Sequence, residues 1–239
     1  MRKSPVDSSA QTALILAGGL GTRLAPVLPP GLPKALVELG GRPFLAHVLE
    51  FLGGFGVKNA VLCTGYGAGA VRDALGGSYG GVKLLHSVEK EPLGTAGALR
   101  AALPLALGDP LLAANGDSLV AADLSVFLKG FLESKALAGM VLVEVPDASA
   151  FGRVETDESG RVSAFCEKDG KKAPGFVNAG LYIFRREFLA AIPAGRPVSL
   201  EREIFPRAVE TGLFGWKTRA SFIDIGSPES YEAAKKALS

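Results

Sequence analysis

The sequence predicts an α/β fold: a mainly parallel central sheet with helices on both faces, followed by a smaller, mixed β portion. Three observations carry this. Short apolar runs alternate with helix-spaced segments through the first half. Several of those runs, such as ALILA and PLLAA, are apolar at consecutive residues rather than at every second one, as in strands buried on both faces. After about residue 138 the texture changes to successive strand-like runs, some joined by turn signals such as Glu158-Ser159-Gly160.

The elements follow in order. Thr12 to Ala17 (TALILA) reads as the first strand, and a Gly/Pro-rich loop fills Gly18 to Pro33. Pro43 to Leu52 has helical spacing, with Pro43 suited to the first turn because its missing N–H would be unpaired there anyway. Asn59 to Thr64 is a strand, Ala68 to Leu75 a helix, Val82 to Ser87 a strand and Thr95 to Leu103 a helix. Pro110 to Ala114 is a fourth buried strand, running into Asn115-Gly116-Asp117. In the second half, strand-like runs cover Ala138 to Val145, Gly152 to Asp157, Gly160 to Lys168 and Phe176 to Phe184. Leu200 to Thr211 reads as a helix capped by Ser199. Ser221 to Ile225 is a strand, and a last helix opens with Ser227 as cap and Pro228 at its first position. The expected organisation is a flexible segment over 1–11 and one domain over 12–239. That domain divides into two halves, 12–137 and 138–239.

Bulk properties narrow the class. With 48% hydrophobic and 21% charged residues the chain is neither fibrous nor disordered. A net charge of +2 is no footprint for nucleic acid, and no apolar run reaches the roughly 18 residues that span a bilayer. Cys63 and Cys166 cannot build a disulfide framework and are expected to be inert core thiols, so a cytoplasmic setting is the expectation. No repeat of the kind that adds a second activity is present. Glycine is abundant and uneven: 20 of the 31 precede Asp117 and 11 follow it. The first half therefore brings its backbone close to something.

The strongest segment is Ala17-Gly-Gly-Leu-Gly-Thr-Arg-Leu24, continuing to Pro33-Lys34. A strand ending in Gly-Gly-x-Gly exposes backbone N–H groups with no side chain in the way, and such a row cradles phosphate oxygens. Arg23 and Lys34 add positive charge at the same strand end. A Walker loop is absent, and a dinucleotide fingerprint would need glycine where Leu24 stands. Asp117 follows a buried strand, where ligands of parallel sheets bind, and there a carboxylate can hold Mg²⁺ against phosphate. An ordinary Asx turn is the rival reading. Asp224 lies inside the apolar run Phe222-Ile-Asp-Ile225, which calls for a metal or a buried hydrogen-bond partner. His47 and His86 are read as packing or surface residues, and Trp216 as packing.

Taken together these residues resemble the sugar-1-phosphate nucleotidyltransferases, the nucleoside-diphosphate-sugar pyrophosphorylases. The likeness covers nearly the whole chain from Thr12. It rests on GGLGTRL with Pro33-Lys34, Glu91-Pro-Leu-Gly-Thr-Ala-Gly97, Asn115-Gly-Asp117, Phe151-Gly-Arg-Val154, Phe165-Cys-Glu-Lys168, Asn178-Ala-Gly180 and Phe222-Ile-Asp-Ile-Gly226. Within the family, the D-glycero-D-manno-heptose 1-phosphate guanylyltransferases look most similar. Mannose-1-phosphate guanylyltransferases and N-acetylmuramate-1-phosphate uridylyltransferases stay open.

The resemblance implies a Rossmann-like, three-layer α/β/α nucleotidyltransferase fold and Mg²⁺-dependent transfer from an NTP to a sugar 1-phosphate. It also implies work in nucleotide-sugar and cell-surface polysaccharide biosynthesis, with neither nucleic acid nor membrane as partner; a homo-oligomer stays open. It makes 12–137 the nucleotide-binding half and 138–239 the sugar-binding half, and it assigns Gly18, Gly19, Gly21, Thr22 and Arg23 to the nucleotide-phosphate loop and Lys34 to the phosphates. Asp117 and Asp224 become the paired Mg²⁺ ligands. Lys168 falls on the sugar phosphate and Glu167 on sugar hydroxyls, with Gly152, Asn178 and Gly180 in the sugar pocket. Gly94 and Thr95 fall on base or ribose. Arg23, Lys34, Asp117, Lys168 and Asp224 form the catalytic set, and its completeness argues against a silent, regulatory relative. Two features depart from the family. The stretch LAPVLPPGLP before Lys34 is about one residue longer than usual, and Glu89 stands where thymidylyl enzymes carry a base-reading glutamine. An ionised Glu89 can accept from guanine N1–H and N2–H₂, which leans the expectation to GTP.

Overall fold

The computed structural model describes residues 12–19, 21–149, 151–166 and 172–237. The segment 1–11, expected to be flexible, lies outside the described residues.

The first half alternates as its pattern requires. Strand β1 (Thr12–Leu16) leads through the glycine loop to helix α1 (Phe44–Gly54), with Pro43 at its N-cap. Strand β2 (Asn59–Thr64), helix α2 (Ala68–Leu75), strand β3 (Val82–Val88), helix α3 (Gly94–Ala102) and strand β4 (Leu111–Asn115) follow. Strands β1, β2, β3 and β4 are parallel, with β1 between β2 and β4. Side chains alternate across the sheet. Ala13, Ile15, Leu62 and Leu112 enter the core on one face, packed with α1 residues such as Leu45 and Leu49; Leu14, Val61, Leu111 and Ala113 enter the other, with Leu99 of α3. That is the physical reason β1, β2 and β4 are apolar at consecutive positions.

Next come the short strand β5 (Ser118–Val120) and helix α4 (Leu124–Ser134). The second half contributes β6 (Ala138–Val145), β7 (Arg153–Thr156), β8 (Val162–Cys166) and β9 (Gly175–Phe184). After the short helix α5 (Arg186–Ala190), the helix expected from Leu200 begins as one π-helical turn, Leu200–Ile204, and continues as α6 (Phe205–Thr211). Strands β10 (Leu213–Thr218) and β11 (Phe222–Asp224) and helix α7 (Pro228–Ala237) complete the described chain. The main sheet runs β8-β7-β9-β4-β1-β2-β3, with β6 joined to β9 and β10. Strand β9 is antiparallel to β4, so the parallel sheet becomes mixed where the second half joins it.

Two elements carry signals that the sequence reading left unassigned. Asp123 caps α4, its Oδ1 accepting from the N–H groups of Ser125 and Val126, and Leu124, Phe127, Leu128 and Phe131 are buried at helical spacing. Strand β10 contains Gly215, a weak strand former, and pairs in parallel with β6 from far along the chain, Leu213 opposite Ala138. The caps that were expected are present: Ser199 Oγ accepts from Arg202 N and Ser227 Oγ from Ser230 N. No helix among the described residues is long and apolar enough to cross a membrane.

Candidate active site

A cavity of about 630 Å³ opens at the C-terminal ends of the parallel strands. Its wall includes Gly18, Gly19, Gly21 and Thr22 after β1, Gly65 and Tyr66 after β2, Glu89 after β3, and Asn115 and Asp117 after β4. Since β1 lies between β2 and β4, Glu89 and Asp117 stand on opposite sides of the glycine loop. The loop is flush with its neighbours. A Cβ at Gly18 would sit 3.0 Å from Gly65 N and 3.4 Å from Glu89 Oε1, whereas one at Gly19 would meet nothing within 4 Å.

At the Asp117 side three charges converge. Lys34 lies in a short 3₁₀ turn and is 8% exposed. Its Nζ donates to Asp117 Oδ2 at 2.5 Å. Asp224 is brought in by topology: β11 is antiparallel to β5, Asp224 lies opposite Ser118, and Ile225 N donates to Asp117 O at 3.0 Å. Asp224 Oδ1 accepts from Gly226 N at 2.8 Å and from Ser230 Oγ at 3.3 Å. Burial and the neighbouring Asp117 carboxylate push the Asp224 carboxyl above the usual range, against the pull of Gly226 N–H, Lys34 and Ser230. Two carboxylates held together at the phosphate end of a cavity suit a hard cation, and Mg²⁺ takes one or two carboxylates plus substrate oxygens rather than a full protein cage. Among the described residues no larger cluster of metal-ligating side chains exists.

At the other side, Glu89 Oε2 accepts from Leu93 N at 2.8 Å. Burial raises the carboxyl above its ordinary value, opposed by that Leu93 N–H. The buried Cys63 thiol, which also lines the cavity, is pushed far up by burial and by Glu89, so it is inert as expected.

Two of the residues that the resemblance assigns to the sugar, Asn178 and Gly180, lie at a bulge. Strand β9 loses register with β6 between Asn178 and Tyr182, next to the end of β4. There Asn178 Oδ1 accepts from Gly180 N at 3.0 Å, and Asn178 Nδ2 donates to the buried Tyr182 hydroxyl at 2.9 Å. Gly180 has φ +72, and a Cβ on it would lie 2.4 Å from Ser118 Oγ and 2.7 Å from Asn115 Nδ2. The glycine thus lets β9 cross the Asn115–Ser118 turn. Asn115 Oδ1 is buried without a hydrogen-bond partner in the cavity wall.

The structure brings together Gly18, Gly19, Gly21, Thr22, Glu89, Gly94, Thr95 and Asp117 around the cavity, with Lys34 ion-paired to Asp117. Arg23 is exposed beside the loop, and Gly152 precedes β7 away from the cavity lining. Glu167 and Lys168 lie outside the described residues. Gly94 and Thr95 have a structural reason for their identity. Gly94 has φ +69, and a Cβ there would sit 2.5 Å from Val198 O. The Thr95 hydroxyl accepts from Leu200 N and donates to Glu201. The sequence reading missed Tyr66, 47% exposed in the cavity wall, and Glu201; neither belongs to a quotable motif. His47 bonds Leu39 O through Nε2, and Trp216 stacks on Phe127, both in packing roles.

The sequence profile of the nucleotidyl transferase family matches residues 12–239. The chain belongs to this family. It is 37% identical over 223 residues to the mannose-1-phosphate guanylyltransferase of Mycobacterium tuberculosis, a match covering 92% of this chain and 62% of that one. It is 33% identical over 227 residues to the D-glycero-alpha-D-manno-heptose 1-phosphate guanylyltransferase of Aneurinibacillus thermoaerophilus, covering 95% and 97%. This nucleotidyl transferase thus spans about three-fifths of the mannose-1-phosphate guanylyltransferases it matches and nearly all of the heptose one. Among solved structures, HddC from Yersinia pseudotuberculosis superposes with a TM-score of 0.85 at 32% identity, covering 96% of this chain and all of that one. HddC complexed with GMP-PN gives the same values.

Proposed function

We propose that this nucleotidyl transferase joins an NTP, GTP by preference, to a sugar 1-phosphate, a D-glycero-D-manno-heptose 1-phosphate by preference, releasing pyrophosphate. The observation that carries the reading is Asp117, placed against Lys34 and Asp224 on one side of a glycine-lined cavity that presents Glu89 on the other. The sugar phosphate oxygen attacks the α-phosphorus in line, and the bond to the bridging oxygen breaks. The attacking sugar phosphate oxygen is already ionised at pH 7 and the bridging oxygen leaves with the pyrophosphate, so no strong general base is required, in keeping with a histidine such as His47 being spent on packing. Catalysis then consists of positioning and charge neutralisation.

The N–H groups of Gly18, Gly19 and Gly21 face the triphosphate, and Arg23 and Lys34 neutralise the departing pyrophosphate. Asp117 and Asp224 would hold Mg²⁺, which when bound draws charge from the reacting phosphate oxygens. Asn178 and Gly180 border the sugar, while the resemblance assigns Gly152 to its pocket and Lys168 and Glu167 to its phosphate and hydroxyls. Glu89 reads the base.

The guanylyl preference is supported by the names of both relatives and by the GMP-PN complex of HddC. The heptose preference is supported by end-to-end coverage, 97% of that relative against 62% of the mannose one. Mannose 1-phosphate is the second reading, favoured by the higher identity of 37%. A matrix of four NTPs against heptose, mannose and N-acetylated sugar 1-phosphates, read by pyrophosphate release, tests both. GTP with a heptose 1-phosphate should give the highest kcat/KM. UTP with an N-acetylated sugar as best pair would replace the reading, and no turnover with any pair would reject it.

A further inference from the structure

The turn that carries Glu89 is braced by the second half of the chain. Leu93, whose N–H holds Glu89 Oε2, offers its carbonyl to Val198 N at 2.8 Å. Val198 O in turn accepts from Ala96 N at 2.9 Å and Gly97 N at 3.3 Å, so the first turn of α3 is capped by a carbonyl from the other half. Thr95 closes the junction: its Oγ1 accepts from Leu200 N at 2.8 Å and donates to Glu201 Oε2 at 2.9 Å. Ser199 Oγ donates to the same Glu201 oxygen at 3.0 Å.

Most of these bonds are made by backbone groups that any sequence supplies. Glu201 is different. It is a carboxylate taking two hydroxyl protons, and it fixes which way the Thr95 hydroxyl points, leaving the Thr95 lone pair for Leu200 N. It stands at the start of the π-helical turn Leu200–Ile204, and irregular turns of this type recur at functional sites.

We propose that Glu201 is a positioning residue for nucleobase discrimination: through Thr95 it holds the Glu89–Thr95 turn in the geometry in which Glu89 meets the base. The proposal rests on the base-reading role of Glu89 given above. Glu201 itself touches no nucleotide. Its removal therefore acts on binding of the correct base and spares the chemical step.

The test measures kcat and KM for GTP and ATP at saturating sugar 1-phosphate in wild type, Glu201→Ala, Glu201→Gln and Thr95→Val, with melting curves on each. Losing one solvent-exposed hydrogen bond such as that between Thr95 and Glu201 corresponds to about a three- to ten-fold effect. Glu201→Ala is expected to raise the KM for GTP by about that factor and to lower the GTP-over-ATP preference in kcat/KM, with kcat within about two-fold. Glu201→Gln, whose amide oxygen can still accept from Thr95 and Ser199, should restore wild-type values. Thr95→Val should reproduce Glu201→Ala, and combining the two should add little. Unchanged KM and base preference in Glu201→Ala overturns the proposal. So does a loss confined to kcat, or a Glu201→Gln enzyme as impaired as Glu201→Ala, since either means direct contact with the sugar or reacting groups. If Glu201→Ala does not fold, Glu201→Met, which keeps the length of the side chain and removes both acceptor oxygens, takes its place in every comparison, because Thr95 itself lines the cavity. A wild-type enzyme with no turnover rejects the proposed function instead, which separates the two failures.

Discussion

Lys34 Nζ lies 2.5 Å from Asp117 Oδ2, an ion pair between residues 83 positions apart that is only partly open to solvent. If Asp117 holds Mg²⁺ as proposed, the ammonium and the divalent cation compete for the same carboxylate oxygen. Lys34→Ala should therefore bind Mn²⁺ without nucleotide several-fold more tightly than wild type, as read by electron paramagnetic resonance. Its turnover should fall on the order of 10²-fold or more, as for other removed charge-stabilising donors. Equal Mn²⁺ affinity would show that the ion pair does not guard the site, and a merely two-fold loss of turnover would contradict the phosphate role.

Asp117→Asn keeps the shape of the side chain and removes its charge. Ile225 still donates to the backbone oxygen of residue 117, so β11 stays docked. The expected outcome is loss of most turnover with an unchanged circular dichroism spectrum. Near-normal pyrophosphate release would sink the assignment of Asp117 as a metal ligand.

Glu89 supplies a pH dependence. Burial raises its carboxyl in the folded protein above the ordinary value. A raised carboxyl pKa means that the unfolded chain releases its proton first as pH rises. The stability that the protonated folded form contributes is complete below the unfolded pKa and is lost as pH rises through the folded one. Glu89→Gln should thus melt higher than wild type at neutral pH, with the gap closing near pH 4. In activity the sign is opposite: if Glu89 reads the base as proposed, its ionised form accepts from guanine, so the wild-type KM for GTP should fall as pH rises through the raised pKa. A flat KM profile in wild type would remove Glu89 from base recognition.

Gly180→Ala places a methyl 2.4 Å from Ser118 Oγ at a φ of +72. The strain is on the order of 1–3 kcal/mol. Urea unfolding should show a lower midpoint, and the KM for sugar 1-phosphate should rise because the β9 bulge shifts. A variant as stable as wild type would mean that the turn at Asn115–Ser118 gives way freely.

Much of this protein was legible in one dimension because its signals are local. Continuous apolar strands, helix caps at Ser199 and Ser227, and the glycine row after β1 are short-range consequences of burial, capping and backbone exposure. Local signals also existed for α4, where Asp123 and the spacing of Leu124, Phe127, Leu128 and Phe131 announce a helix that went unassigned. The family motifs named Lys34, Asp117 and Asp224. Nothing in their spacing says that Lys34 lies on Asp117, or that the antiparallel pairing of Asp224 with Ser118 delivers the second carboxylate. Gly94 and Thr95 read as ligand contacts in sequence, yet their backbone and hydroxyl are shaped by Val198, Leu200 and Glu201. The sequence by itself determined the layered α/β fold and which residue types the site would use. The tertiary structure alone decided which charges face each other and which half holds the base turn, because contacts between distant segments depend on sheet order and register, and these leave no periodic trace along the chain.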